Sequence, residues 1–178
     1  MRKYTSGMRW ALWRWTMETP ERPHIRRLHL YKTPWHSLYL HWKLGRDPQQ
    51  DPHDHPVPFL SIVLRGGYEE HRYLFTQDGG ILVKRRHIRW FNVLRLGNTH
   101  KIVSVKPGTV TLCVAGPPRT DRPWGFLTPQ GFMPWHSYHY CNGCGQRSIR
   151  PIFCLCDFGE PEPERHPFNI TYDSGEPS

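Results

Sequence analysis

The sequence predicts an all-β domain, and three observations carry that prediction. Eighteen Pro and fifteen Gly in 178 residues, with 13% aromatics, suit short strands joined by turns better than helices. Apolar and polar residues alternate with period two in several short segments. No 10-to-15-residue helical patterns alternate with those segments, which argues against a parallel α/β sheet. The length fits one domain with an appendage and is enough to bury a core.

The elements follow in chain order. Residues Met8 to Met17, carrying Trp10 and Trp13, read as a short helix, and ETPERP turns the chain. From Ile25 the texture becomes strand-like, first in RRLHLYK and then in HSLYLHWKL. In the second run Leu38, Leu40, Trp42 and Leu44 alternate with Tyr39, His41 and Lys43. Phe59 to Leu64 is a compact apolar run stopped by Gly66 and Gly67. Tyr68 to Phe75 and Ile81 to Val83 form a hairpin across the DGG turn at Asp78 to Gly80. Further strands are expected at Trp90 to Leu94, Lys101 to Val105, Thr109 to Ala115 and Gly125 to Leu127. Strands at this spacing indicate a sandwich or small barrel, and no internal repeat is visible.

The charge of +9 is unevenly spread. Residues 1–50 carry ten basic against three acidic side chains, and residues 151–178 carry one against six. A basic body attracts anionic ligands, nucleic acid or an acidic protein surface, whereas the acidic, Pro-rich tail is expected to be poorly ordered. No run of about 18 apolar residues exists to span a membrane, and Arg9 and Arg14 interrupt any secretory apolar core, so a cytoplasmic protein with reduced thiols is expected.

The segment DPHDHPVPFLSIVLRGGYEE carries the sharpest signal. On an extended backbone His53 and His55 project to one face while Asp54 points away, so both imidazoles can reach one ion. His100, in LRLGNTHKIVSV, can supply a third. An isolated surface pair between prolines is the plain structural reading of His53 and His55.

The surrounding pattern resembles the cupin superfamily, small jelly-roll barrels that hold a metal inside. Their first motif places HxH before a short gap, an apolar strand and a glycine turn, matched by His53, His55, Phe59 to Leu64, and Gly66. Their second has a glycine three residues before a histidine followed by a β-branched run, matched by Gly97, His100, Ile102 and Val103. HDHP…GGY…H…GF.TP.G..PW also looks like small bacterial and phage cupins. The resemblance implies an all-β, cupin-type jelly-roll barrel over residues 28–138. It is preceded by a lead segment with a short helix at 1–27, and followed by a Cys-rich extension at 139–158 and the acidic tail at 159–178.

The chain departs from the family at one point. Many cupins place a glutamate ligand four or five residues after the second histidine, where this chain has Phe59 and Leu60. A three-histidine site is left, resembling that of thiol dioxygenases, and it implies Fe(II) or another divalent metal. Three neutral ligands leave the ion's charge uncompensated, which favours small anionic substrates and dioxygen. The same trio can hold zinc and support an isomerase or lyase, and a non-catalytic binding module for a metabolite, nucleic acid or protein is the reading from another class. The family often pairs through a sheet edge, so a homodimer is implied.

Further candidates surround the trio. Glu69 and Glu70 begin the strand after the glycine turn, either as a solvated edge pair or with one facing inward as a late fourth ligand or general base. His71 alternates with Glu70, so the two cannot both point inward. Arg65 is a candidate anchor for a substrate carboxylate or a surface arginine, and Tyr68 a candidate proton donor. In YCNGCGQRSIRPIFCLCDF, the knuckle-like pair Cys141 and Cys144, with Cys154 and Cys156, has the makings of a structural four-thiolate Zn(II) site, disulfides or free thiols being the alternatives. His136 or His139 can replace one thiolate. Basic and aromatic residues interleave in RWALWRW and RRHIRW, as single-stranded nucleic acid requires, but filling and capping a small barrel explains the tryptophans better. No GxSxG, HExxH or phosphate-loop pattern occurs.

Overall fold

A computed structural model describes residues 24–118, 121–138 and 169–173, together with the backbone of 14–18. The described strands are β1 (Arg14–Glu18), β2 (Ile25–Lys32), β3 (Ser37–Lys43), β4 (Phe59–Arg65), β5 (Tyr68–Phe75) and β6 (Ile81–Ile88). They continue with β7 (Phe91–Leu94), β8 (Thr99–Val105), β9 (Thr109–Ala115), β10 (Gly125–Thr128), β11 (Gly131–Pro134) and β12 (Ile170–Tyr172). No helix occurs among the described residues.

Two sheets form, in the orders β1-β2-β3-β9-β4-β7 and β12-β6-β5-β8, with β10-β11 as a hairpin. From β4 onward the chain passes repeatedly between them: β4, β7 and β9 lie in the first, β5, β6 and β8 in the second. These crossovers make a jelly roll. A short extended segment completes the second sheet. His53 N donates to His100 O and His100 N to His53 O, both at 2.9 Å, while Leu127 N donates to Pro52 O at 2.8 Å and Asp54 N to Gly125 O at 3.0 Å. Residues 52–54 thus lie between β8 and β10 as an additional rung.

The strands read from the sequence from Ile25 onward are present, all but β6 with small shifts at their ends. β6 runs on to Ile88, well beyond Val83, because β5 offers it a partner along its whole length, from Phe75 opposite Ile81 to Tyr68 opposite Ile88. The expected N-terminal helix is corrected over residues 14–17: Arg14 to Glu18 pair antiparallel with β2, from Arg14 opposite His29 to Glu18 opposite Ile25. A ten-residue helix is marginal alone, and the free edge of β2 offers five residues a ladder. Residues 8–13 lie outside the described residues. Within the segment expected to be a loose tail, Ile170 to Tyr172 pair in parallel with Ile81 to Val83.

The turn that ends the first histidine motif requires glycine. Gly66 has φ 81°, and a Cβ there would come within 2.4 Å of Thr109 Oγ1. Gly67, at φ 143°, donates its N–H to the same hydroxyl at 3.0 Å. The turn therefore fixes where β5 starts, and with it which side chains of β5 point inward.

The apolar core is small. Tyr68, Ile88 and Ile102 pack with Val63 and Val105. Ile81, Val83 and Leu127 pack with Tyr73 and Ile170. Much of the remaining interior is polar, with Ser61, Glu70, Asn92, Thr109 and Thr111 almost fully buried.

Candidate metal centre

The HxH geometry follows from the extended backbone of 52–54. His53 and His100 exchange both backbone hydrogen bonds, so they form a directly opposed antiparallel pair with side chains on one face. His55, two residues on, returns to that face. The three rings form a nearly equilateral triangle, with centroids 5.0 Å apart for His53 and His55, 5.1 Å for His53 and His100, and 5.0 Å for His55 and His100. One potential ligand atom from each lies within 4.8 Å of the others.

The chemistry of these donors fits a divalent cation. Nε2 of His55 and Nε2 of His100 face each other at 2.7 Å, near the roughly 3 Å separating two nitrogens bound at right angles to one ion with bonds of about 2.1 Å. His53 Nδ1 is buried without a hydrogen-bond partner. A buried ring nitrogen that no protein group satisfies, beside two converging imidazoles, is accommodated by a cation shared among the three rings. Burial, reinforced by the neighbouring rings, holds His55 well below the usual histidine range. Burial likewise lowers His53 to about 4, against the opposing pull of Asp47. Both are neutral at pH 7, the form that ligates.

Phe59 occupies the place of the family's glutamate, its ring 4.8 Å from that of His55. Glu70 corrects the expectation of a solvated pair: its exposure is 0%. It is not a fourth ligand either, because Oε2 meets Nδ1 of His100 at 3.1 Å, on the ring nitrogen other than the one facing His55. Oε1 accepts from Arg72 Nη2 at 2.7 Å, Arg72 Nε at 3.1 Å and Arg86 Nη1 at 3.3 Å. Asn92 Nδ2 donates to Oε2 and, at 3.1 Å, to Tyr68 Oη. Burial alone would raise the Glu70 carboxyl, but the His100 contact, the Arg72 charge and the Asn92 donor together hold it down to about 2.

The other candidates fall differently. Glu69 lies on the outer side of β5 with Arg85 at 3.1 Å and His71 at 3.5 Å. Tyr68 is buried on the inner side, and burial pushes its hydroxyl well above the ordinary tyrosine range, so proton donation by Tyr68 is disfavoured. Arg65 is exposed at the far end of β4. Six residues of strand put it about 20 Å from Phe59, too far to anchor a substrate at the imidazoles. Cys141, Cys144, Cys154 and Cys156 lie outside the described residues, as does His139; His136 is exposed beside Trp135.

Several interior groups escaped the sequence reading. In β3 the leucine set is only half-buried and Leu44 is 54% exposed, whereas His41 and Lys43 are buried. Arg27 Nε donates to His41 Nε2 at 2.8 Å, and His41 Nδ1 lies 3.4 Å from Cys113 Sγ. Lys43 Nζ sits 4.7 Å from the centre of the Tyr68 ring. Asp54, facing away from the trio as expected, accepts from Gly125 N at 2.7 Å and Arg122 Nη2 at 2.9 Å. Period-two parity places Glu70 with Tyr68 and Arg72, and that was the available signal; nothing in hydropathy marks His41 or Lys43 as interior.

A jelly roll with this strand alternation and three imidazoles on its inner wall defines the class: the chain has the cupin-type fold. No protein-family model and no curated protein sequence matches it. Among solved structures, it is similar to KdgF from a Halomonas species, at 18% identity over 60% of this chain and 89% of that one, with a TM-score of 0.41. It is similar to an RmlC-like cupin from Shewanella frigidimarina at 18% identity, over 55% and 80%, with a TM-score of 0.38. For the DMSP lyase DddQ from Ruegeria pomeroyi the values are 12%, 67% and 63%, with a TM-score of 0.45. No helix among the described residues is long and apolar enough to cross a membrane.

Proposed function

We propose that the chain is a metal-dependent enzyme in which His53, His55 and His100 hold one divalent ion, ferrous by preference, for an oxygen-dependent reaction on a small anionic substrate. One observation carries this reading: the donor set is three converging imidazoles without a carboxylate. A divalent ion bound there supplies Lewis acidity and, if ferrous, redox chemistry with dioxygen. The surrounding wall binds and orients an anion through the basic residues of β2 and β3, while Phe59 and Phe126, whose rings lie 4.8 Å from His55 and 5.8 Å from His53, limit water around the imidazoles.

The test is elemental analysis of protein purified without added metal, followed by oxygen-consumption measurements on a panel of small carboxylates with the iron-loaded protein. Close to one iron per chain, lost in His53→Ala and His100→Ala, together with substrate-dependent oxygen uptake, is the expected result. Zinc retention with turnover but no oxygen uptake assigns a zinc-dependent isomerase or lyase instead. Unchanged ligand binding in all three alanine variants assigns a non-catalytic module. For the cysteine-rich segment we propose a structural zinc ion on Cys141, Cys144, Cys154 and Cys156, from their spacing alone; one zinc lost in Cys144→Ala tests it.

A further inference from the structure

The carboxylate of Glu70 approaches the metal centre from behind. With Arg72 and Arg86 on Oε1 and Asn92 on Oε2, it acts as an acceptor on every side, so the proton in its contact with His100 belongs to Nδ1 of the ring. A neutral imidazole protonated at Nδ1 carries its lone pair on Nε2, which here faces His55 Nε2.

We propose that Glu70 is the positioning residue of the metal centre: it fixes the tautomer and ring orientation of His100 and raises the basicity of its ligating nitrogen. The inference rests on the reading of the trio as a metal site and assigns a role to a residue that is not itself a ligand.

The supports of Glu70 are built for this task. Asn92 is fully buried, and its amide oxygen accepts from Arg72 Nη2 at 2.9 Å and Arg86 Nη1 at 3.0 Å while its nitrogen reaches Glu70 and Tyr68. Arg72 Nη1 also donates to Val93 O at 3.2 Å. Each partner of the carboxylate is thereby held by a second strand: Asn92 and Val93 come from β7, Arg86 from β6, Glu70 and Arg72 from β5. Such a frame keeps the carboxylate from turning, so the imidazole has one orientation in which its N–H is satisfied.

The experiment uses cobalt(II) as the probe, added to the full chain after chelator treatment. In the wild-type protein, proton NMR should show a paramagnetically shifted ring N–H from His100 that exchanges slowly with solvent, and this signal should be absent in His100→Ala. Glu70→Gln should weaken cobalt affinity by about 10-to-100-fold, alter the visible absorption of the bound ion and speed exchange of that proton. Arg85→Gln, which removes the outer contact to Glu69 on the same strand pair and leaves the Glu70 network whole, should leave affinity within about threefold of wild type. Equal cobalt affinity and an unchanged spectrum in Glu70→Gln would overturn the inference while leaving the metal site intact. A freely exchanging His100 N–H in the wild-type protein overturns it without any variant. Failure of the wild-type chain to bind cobalt overturns both this inference and the site on which it rests.

Discussion

His53 and His100 are 47 positions apart in the chain yet exchange two backbone hydrogen bonds of 2.9 Å. The convergence of the three imidazoles is therefore a property of a ladder and not of a loop. Two of the three are set by sheet register, and the third follows from the period of an extended backbone.

If the three rings hold an ion, its removal has a thermodynamic signature. A ligand at about a thousand times its dissociation constant stabilises the native state by about 4 kcal/mol. Chelator treatment is expected to lower the melting temperature of the wild-type chain and to leave that of His55→Ala unchanged. Equal effects on both proteins in a calorimetric scan would rule the trio out as the site.

Asp54 anchors the rung from its far side. Its two oxygens hold Gly125 N and Arg122, and its side chain is 1% exposed. Asp54→Ala is expected to cost about 2 kcal/mol and to weaken metal binding, because the strand that flanks His53 loses its anchor. Asp54→Asn, which keeps an acceptor for Gly125, should be milder. Denaturant titrations with paired metal titrations decide whether stability and affinity fall together.

Asn92 is buried with all its amide capacity in use. Asn92→Leu leaves Arg72, Arg86, Glu70 and Tyr68 each short of a partner, and a loss of about 3 kcal/mol is expected. A urea midpoint close to wild type would mean that the network is not cooperative.

Gly66 and Gly79 both have φ 81°, but nothing lies within 4 Å of a Cβ built on Gly79, whereas one on Gly66 meets Thr109 side chain and backbone. Gly79→Ala should cost about 1 kcal/mol from backbone conformation alone, and Gly66→Ala about 3 kcal/mol once the clash is added. Comparable stabilities for the two variants would contradict the close approach of the turn to β9.

His41 is held well below the ordinary histidine value by burial first and then by the charges of Arg27, Lys43, His29 and His24. Its folded value is the lower one, so the unfolded chain takes up the proton first as pH falls below about 6.5. Stability should be lost on acidification from that point, by at most about 1.4 kcal/mol per pH unit for this one group. His41→Gln should make the slope shallower between pH 6.5 and 5, measured by urea unfolding with chelator present so that metal release does not contribute. An identical slope in the variant would assign the acid sensitivity elsewhere.

Strand texture, turn glycines and the HxH spacing were legible in the sequence because each is a local property. Strand-like runs mark β2 to β5 and β8 to β10, by alternation in β3 and by a compact apolar run in β4, and Gly66 and Gly67 stop β4 where a Cβ cannot fit. The strand at Arg14 to Glu18 was not legible, since its conformation depends on the open edge of β2 and not on its own residues. The inward face of β3 was misleading for a similar reason. Hydropathy assumes a dry interior, and here the barrel lines itself with His41, Lys43, Ser61 and Thr111.

The chain by itself determined that three imidazoles, without a carboxylate at the family's fourth position, are the donors on offer. Only the tertiary structure decided that His100 lies directly opposite His53 and that Glu70 stands behind the ring and not before it. Those outcomes depend on register between strands far apart in sequence. A one-residue slip would turn each of these side chains to the other face, and no short-range pattern records it.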